Sequence, residues 1–167
     1  MDISESEDRI REYSAVIRGK SAEVASELMT EQGLVFKLAD TEEEAKFICQ
    51  NQVSRYYQDE KYEIGSACLI QIERFQHIRD ISGYVKGLCQ LGDHYYYDKG
   101  DCAKALICFQ LAAGIDVESG EALHGAVIVL GQGLCRYAEA LPYAVVADHV
   151  NPGRNAESYV RGKLKDI

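Results

Sequence analysis

Tryptophan is absent from the 167-residue chain, and proline is rare. The only prolines are Pro142 and Pro152, so the first 141 residues contain none. A β protein of this length normally shows more glycine and proline at its turns, and no segment alternates cleanly between apolar and polar residues over six or more positions. These absences argue against a sheet protein and predict an all-α fold.

Long apolar runs are also missing. No part of the sequence approaches the about 20 consecutive apolar residues that cross a bilayer. Residues 1–8 are acidic, and they lack the basic and apolar regions of a secretory signal. We therefore expect a cytoplasmic protein that does not insert into a membrane itself.

Basic residues are fewer than acidic residues. The chain has 18 Lys and Arg residues against 27 Asp and Glu residues, which gives a formal net charge of −9. A surface of that sign repels phosphate groups. The charge balance therefore excludes a general nucleic-acid binder.

The six cysteines lack the spacing of a metal site. The sequence contains no C-x-x-C pair and no H-x-x-x-H partner, so we expect no structural zinc or other metal site. Without an export signal, reduced thiols that act as small core residues are the better interpretation. The cysteines concerned are Cys49, Cys68, Cys89, Cys102, Cys108 and Cys135.

Catalytic motifs are equally scarce. None of the four histidines lies in an H-E-x-x-H motif. The segment Gly131-Gln132-Gly133 lacks the further spacing of a dinucleotide loop. Gly19-Lys20 has Ser14 where a P-loop has its first glycine. We expect no catalytic residues, no cofactor and no enzymatic activity, although an unrecognised enzyme on a helical scaffold is a further alternative.

Apolar residues recur at steps of three and four, as on one face of a helix. Thr41 followed by Glu44 is typical of a capping box at a helix start. Glycines such as Gly19, Gly100 and Gly114 are candidate helix ends. Together these signals predict helices at roughly 4–18, 21–32, 42–59, 61–77, 80–98, 101–114, 119–133, 136–149 and 153–165.

An internal repeat is the most informative pattern. Residues 100–112 and 135–147 match at an offset of 140 − 105 = 35, where Ala105 aligns with Ala140 and Ala112 with Ala147. A third copy begins near residues 59–62, at an offset of 40 from the middle one. The alternative is a generic helical bundle in which Ala-Leu recurs by chance.

This period and this order of small and large residues resemble the 34-residue tetratricopeptide repeat. Leu91-Gly92 followed by Tyr95-Tyr96 is similar to the first helix of that motif, with one extra residue before Gly100. The resemblance implies an all-α tetratricopeptide superhelix with three helical hairpins at 41–150, after an N-terminal helical region at 1–40. A capping helix would follow at 151–167.

In such a superhelix the first helices of the hairpins line a concave groove that suits an extended peptide. Small residues at Ala122 and Gly125 are expected to leave space there. The candidate groove residues include no basic side chain, which favours an apolar or neutral peptide. They are Phe47, Gln50, Ser54, Tyr57, Gln90, His94, Tyr97, Ala122, Gly125, Val129 and Gln132.

The layout of the chain resembles the class II chaperones of bacterial type III secretion. Residues 31–38 are similar to the family's glycine-containing link between dimerisation helix and first repeat, with one of two glycines present. Residues 55–62 resemble its Y-Q-x-G-x-Y turn, with Glu60 in place of the glycine. The 40 residues from Tyr62 to Cys102 exceed the family's usual spacing.

The resemblance implies a bacterial cytoplasmic chaperone that binds hydrophobic translocator proteins and keeps them from aggregating before secretion. An extended client segment would lie in the groove, where Tyr57 would form a wall beside Gln50 and Ser54. The chaperone would be a homodimer joined by one face of its N-terminal helix, carrying Ile10, Tyr13, Val16 and Ile17. The alternative function is a general tetratricopeptide scaffold for another protein complex.

Overall fold

The computed structural model describes residues 3–28, 38–39, 41, 43–44, 47 and 81–166. Every regular element in these ranges is a helix, and no strand occurs among them, so the predicted all-α class is confirmed. The α-helices with described bounds in these ranges are α1 (Ile3–Leu28), α2 (Ile81–Asp93), α3 (Cys102–Ile115), α4 (Gly120–Ile128), α5 (Tyr137–Val150) and α6 (Ala156–Lys165).

Helix α1 is a single helix of 26 residues. The two separate helices predicted at 4–18 and 21–32 are therefore wrong. Gly19 does not end the first of them: it lies inside α1, and open space surrounds the position of its missing Cβ. A glycine in a helix interior costs about 1 kcal/mol relative to alanine, and the buried side of α1 offsets that cost.

Two helices end in a wider turn. Helix α2 continues as a π-helical turn at His94–Asp98, and α4 continues in the same way at Val129–Gly133. A π-helical turn carries one more residue per turn than an α-helix with the same ends. The π-helical turn at His94–Asp98 accommodates the one residue that the sequence has in excess of the tetratricopeptide motif between Gly92 and Gly100.

The backbone repeats with the period found in the sequence. Helices α3 and α5 each have 14 residues, and their starts lie 137 − 102 = 35 positions apart. The turns that precede them also match: the Asp101 amide donates to the Tyr95 carbonyl at 2.8 Å, and the Arg136 amide donates to the Leu130 carbonyl at 2.7 Å. The pairs α2–α3 and α4–α5 are therefore copies of one helical hairpin.

The hairpins pack in series around one large side chain. Helix α3 contacts both α2 and α4, α4 contacts α5, and α5 contacts α6. The ring of Phe109 on α3 lies between two glycines: a Cβ on Gly92 would be 2.8 Å from the ring, and one on Gly125 would be 2.3 Å from it. Only residues without a side chain let α2 and α4 approach the ring this closely.

Helix α1 lies across α3 and α5 of its own chain. Its buried side carries Ser14, Ile17, Ser21 and Val24. Ser21 crosses α3 at Gly114, where a Cβ would stand 2.0 Å from the serine Oγ. Gly114 thus marks the crossing with α1, and α3 ends one residue after it, close to the predicted helix end.

Local hydrogen bonds fix the helix starts. Thr41 Oγ1 accepts from the Glu44 amide at 3.2 Å, which confirms the predicted cap. Asp101 caps α3 in the same way, directly after Gly100 with its φ of +65°. The Asp148 carboxylate reaches from α5 and accepts from the first two amides of α6, at 2.8 and 2.9 Å.

Two of the cysteines match the predicted core role. Cys89 and Cys108 are fully buried, and burial raises the pKa of both thiols, which keeps them protonated. Cys102 is partly buried and Cys135 is exposed, so Cys135 does not share that role. Cys49 and Cys68 lie outside the described residues.

Candidate functional site

The first-repeat groove residues are described only at Phe47. Its ring packs on the imidazole of His94, with centroids 5.0 Å apart and planes tilted by 32°. Gln50, Ser54 and Tyr57 lie outside the described residues. Phe47 therefore lies against the start of the π-helical turn that follows α2.

His94, a predicted groove residue, is mostly buried. Its side chain is 16% exposed, and its Nδ1 lies 3.1 Å from the Asp98 carboxylate. Its Nε2 is buried, without a hydrogen-bond partner among the described residues. Beside it, the single O–H of the buried Tyr95 lies between two acceptors, the Glu44 carboxylate and the Leu38 carbonyl. His94 therefore belongs to the junction between the first and second hairpin regions.

Three predicted groove residues of α4 lie in the core. Ala122 and Val129 are buried, at 0% and 1% exposure, so neither can contact a ligand. Gly125 leaves no open space, because the Phe109 ring occupies it. These three assignments are wrong, and the expected trough at Ala122 and Gly125 does not exist.

The solvent-accessible residues of α4 each precede one of these three buried residues by one position. Glu121 is exposed, and His124 and Ile128 are partly exposed. Gln132 is exposed as predicted. The polar Glu121 and His124, three residues apart, are the sequence signal that could have identified this register.

On α2 and its π-helical turn, the solvent-accessible residues are also three or four positions apart. Lys86 is exposed, Gln90 and Asp93 are partly exposed, and Tyr97 is 67% exposed. Gln90 and Tyr97 were predicted groove residues, and the structure leaves both within reach of solvent. Helices α2 and α4 contact each other directly, so their accessible sides form adjacent parts of one surface.

Four tyrosines gather where this surface meets α6. The rings of Tyr96 and Tyr97 pack edge to face at 4.9 Å, and those of Tyr137 and Tyr159 pack at 6.5 Å. Gly131 lies against the second pair, where a Cβ would be 3.5 Å from Tyr159 and 3.6 Å from Tyr137, and Gly133 lies against the first, where a Cβ would be 3.1 Å from Tyr96. We call these four tyrosines, with Gly131 and Gly133, the tyrosine face.

The tyrosine face exposes unusually large apolar groups. Only three large hydrophobic side chains are exposed in the described part of the chain, and two of them, Tyr97 and Tyr159, are here. Aromatic rings supply large contact area at low entropic cost, and tyrosine is enriched at sites of protein recognition. This arrangement can hold a protein segment by contact, and it contains no group placed for bond chemistry.

Two carboxylates lie on the accessible sides of α2 and α4. Asp93 lies one turn before Tyr97 on α2, and Glu121 lies in the first turn of α4. Partial burial raises the pKa of Asp93, and the negative charge of Glu121 raises it further. The buried Cys89 thiol lies close to both acids, which contribute to its raised pKa.

His124 is a partly exposed titratable group of α4. Burial lowers its pKa, and the nearby Arg154 guanidinium lowers it further, against an opposing effect of Asp148. Its Nε2 has no hydrogen-bond partner among residues 3–28 and 81–166 or the few others described. The imidazole is therefore neutral at neutral pH.

The predicted dimerisation residues do not share one exposed face. Ile17 is fully buried in the chain's own core and cannot contact a second subunit, so this assignment is wrong. Ile10 and Tyr13 are partly buried, and the Arg9 guanidinium lies 5.7 Å from the Tyr13 ring centroid. Val16 is 52% exposed and remains available on the outer side of α1.

No family model matches the chain, and no curated protein or solved structure was found to resemble it. Within the described ranges, no cluster of three or more His, Cys, Asp or Glu side chains could hold a metal ion. No helix in those ranges has both the length and the apolar character needed to cross a membrane.

Proposed function

We propose that the chain is a tetratricopeptide superhelix that binds an extended segment of another protein. The support is the 35-residue repeat of the helices and of their turn hydrogen bonds, together with packing of the hairpins in series. In this arrangement α2 and α4 are the first helices of two hairpins, and α6 caps the array. Their shared accessible side is the concave surface.

The observation that carries the binding role is the tyrosine face. Its rings come from α2, α6 and the start of α5, and its two glycines from the π-helical turn of α4. No single helix has this surface, so binding depends on the hairpins being stacked. The opposite side of α3 and α5 is covered by α1, which leaves the tyrosine face as the accessible aromatic surface of the described residues.

We further propose that the bound segment belongs to a hydrophobic translocator of a bacterial type III secretion system, kept soluble in the cytoplasm by this chain as a homodimer. The support is the resemblance of residues 31–38 and 55–62 to the class II chaperones. The exposed aromatic side chains of Tyr97 and Tyr159, on two different elements, fit the same role.

Co-expression with membrane-inserting translocators from the same genome tests this function. We expect a translocator to co-purify with the chain and to stay in the supernatant, whereas it aggregates when expressed alone. The double variant Tyr97→Ala/Tyr159→Ala should lose the co-purified protein. The variant Val16→Ala, which truncates the third exposed hydrophobic side chain, should retain it.

The general scaffold predicts a different outcome. In that case no translocator would co-purify, although folded protein partners would still be lost from the double tyrosine variant. Equal recovery of the translocator by the wild type and the double variant would reject the tyrosine face as the binding surface.

A further inference from the structure

Helix α6 brings a lysine to the tyrosine face. The Nζ atom of Lys163 lies 6.0 Å from the centroid of the Tyr159 ring, which belongs to the preceding turn of the same helix. That ring packs on Tyr137 at 6.5 Å and lies against Gly131. The ammonium group of Lys163 therefore adjoins the tyrosine face at one of its two exposed rings.

This lysine is not neutralised by the chain. Helix α6 has three basic residues and one acidic residue, although the whole chain has a net charge of −9. The acidic residue, Glu157, is already bound by Arg161 and, from α1, by Arg9. Lys163 and Lys165 form no ion pair with any described residue. The end of α6 is therefore locally positive on an acidic molecule.

The negative charges of the accessible side lie on other helices. Asp93 is on α2, and Glu121 is in the first turn of α4. A carboxylate in a bound segment is repelled by like charges and attracted by an ammonium group that has no ion partner. This distribution of charge favours an acidic residue of the segment at α6 and disfavours one at α2 or α4.

The ring of Tyr159 helps to present the lysine. A cation within about 6 Å of a ring centroid is attracted by the quadrupole of the ring, so this contact limits the positions of the Lys163 side chain. A side chain that is already restricted loses less conformational entropy when it pairs with a carboxylate. The same ring offers apolar contact area to the rest of the segment.

We propose that the segment bound by the tyrosine face carries an aspartate or glutamate side chain, whose carboxylate pairs with the ammonium group of Lys163. This inference rests on the proposed peptide-binding function and names the chemistry of the bound segment. It replaces the expectation of an apolar or neutral peptide, which came from candidate groove residues that included none from α6. Apolar residues beside the acid contact the rings of Tyr97 and Tyr159.

Pools of short peptides test the proposal. Both ends of each peptide are blocked, and one central residue is fixed as glutamate or glutamine while the other positions are randomised among uncharged residues. Glutamine has nearly the shape of glutamate without its charge. We expect the wild-type chain to bind the glutamate pool about threefold to fivefold more tightly, as an ion pair at an exposed site would give. In about 1 M salt the preference should shrink, because the Debye length falls to about 3 Å.

Two lysines at the end of α6 provide matched variants. Lys163→Gln should lose the preference for glutamate and bind the glutamine pool as the wild type does. Lys165→Gln removes the same charge from the same helix, but Lys165 contacts no described aromatic ring, so it should keep the preference. Lys163→Arg retains the charge and should also keep it. Circular dichroism confirms that the variants are folded.

Each outcome decides one question. Equal binding of the two pools, both tighter than by Tyr97→Ala/Tyr159→Ala, overturns the acidic-residue proposal and leaves the peptide-binding function intact. If the wild type binds no pool more tightly than that double variant does, both proposals fail. Loss of the preference in Lys165→Gln as well as in Lys163→Gln would show a general effect of net charge and would overturn the site at Lys163.

A further pool distinguishes a side-chain carboxylate from a terminal one. It has glutamine at the centre and a free C-terminus. Tighter binding of this pool, without any preference for glutamate in the blocked pools, would assign Lys163 to a terminal carboxylate and overturn the side-chain proposal. We expect the free C-terminus to bring no gain over the blocked glutamine pool.

Discussion

The residue with the most demanding surroundings is Phe109. Its ring occupies the space between Gly92 on α2 and Gly125 on α4, and it is almost fully buried. Side chains in protein cores are packed as closely as molecules in organic crystals, so no space remains here for an added methyl group. The junction of two hairpins is therefore sensitive to single atoms at these two glycines.

We predict that Gly125→Ala lowers the free energy of unfolding by about 1–3 kcal/mol, because the new Cβ would meet the Phe109 ring at 2.3 Å. Urea unfolding followed by circular dichroism measures this change. The gain in helix propensity on replacing glycine offsets about 1 kcal/mol of the cost.

Gly19→Ala is the matched control for that substitution. Gly19 also lies inside a helix, but nothing stands within 4 Å of the position of its Cβ. The change should raise the free energy of unfolding by up to about 1 kcal/mol. An effect of the same sign at both glycines would contradict the packing argument.

At the scale of the element, α1 shows two sides with different roles. We predict that Ile17→Ala costs about 2–5 kcal/mol, because its fully buried side chain packs against the rest of the chain. Val16→Ala, at the next position but 52% exposed, should cost well under 1 kcal/mol. Thermal unfolding of the two variants tests the orientation of α1, which would be wrong if their effects were equal.

The outer side of α1 also tests the proposed homodimer. If Val16 lies in a dimer interface, Val16→Glu should convert the dimer to a folded monomer, because the interface would have to bury an unpaired charge. Light scattering measures the mass, and circular dichroism checks the fold. A dimer that persists in Val16→Glu would move the interface away from this part of α1.

The sequence predicted some elements well because their signals are local. The bounds of α3 and α5 follow from the repeated Ala-Leu pattern and from the cap at Asp101. The division of α1 at Gly19 was wrong because an exposed glycine is tolerated when the opposite side of the helix is buried. The π-helical turns appeared only as one extra residue, since no residue type specifies them.

The binding surface was harder to predict for a physical reason. Periodicity identifies which residues share a face of a helix, but it does not tell which face meets a neighbouring helix. Ala122 and Gly125 are small because Phe109 packs there, not because a ligand does. The tyrosine face needed Tyr159 and Gly131 to be brought together by folding, and they lie in different elements.

At the scale of the whole molecule, charge and stability are linked through Asp93. Its pKa is raised in the folded chain above the ordinary value of 3.8. Folding therefore favours the protonated carboxyl, and the ionised form destabilises the fold at neutral pH. We predict that Asp93→Asn is more stable than the wild type at pH 7.

The pH dependence provides the measurement for this prediction. The difference in unfolding free energy should shrink as the pH falls through the raised pKa of Asp93 and should vanish below about pH 3.8, the ordinary value at which the wild-type carboxyl is protonated in both states. Glu12→Gln, an exposed carboxylate on α1, should leave stability unchanged at both pH values. A destabilised Asp93→Asn at pH 7 would show that the acid has a structural partner.

The position of α1 has a consequence for the order in which the chain folds during synthesis. The ion pair between Arg9 and Glu157 joins residues 148 apart in sequence. Helix α1 therefore emerges from the ribosome long before α6, which carries Glu157, has been synthesised. The hairpins rely on neighbours close in sequence and can assemble as they are made. Helix α1 therefore completes its docking only after later helices have formed, and a nascent chain stalled before α3 would display the apolar side of α1 to chaperones of the cell.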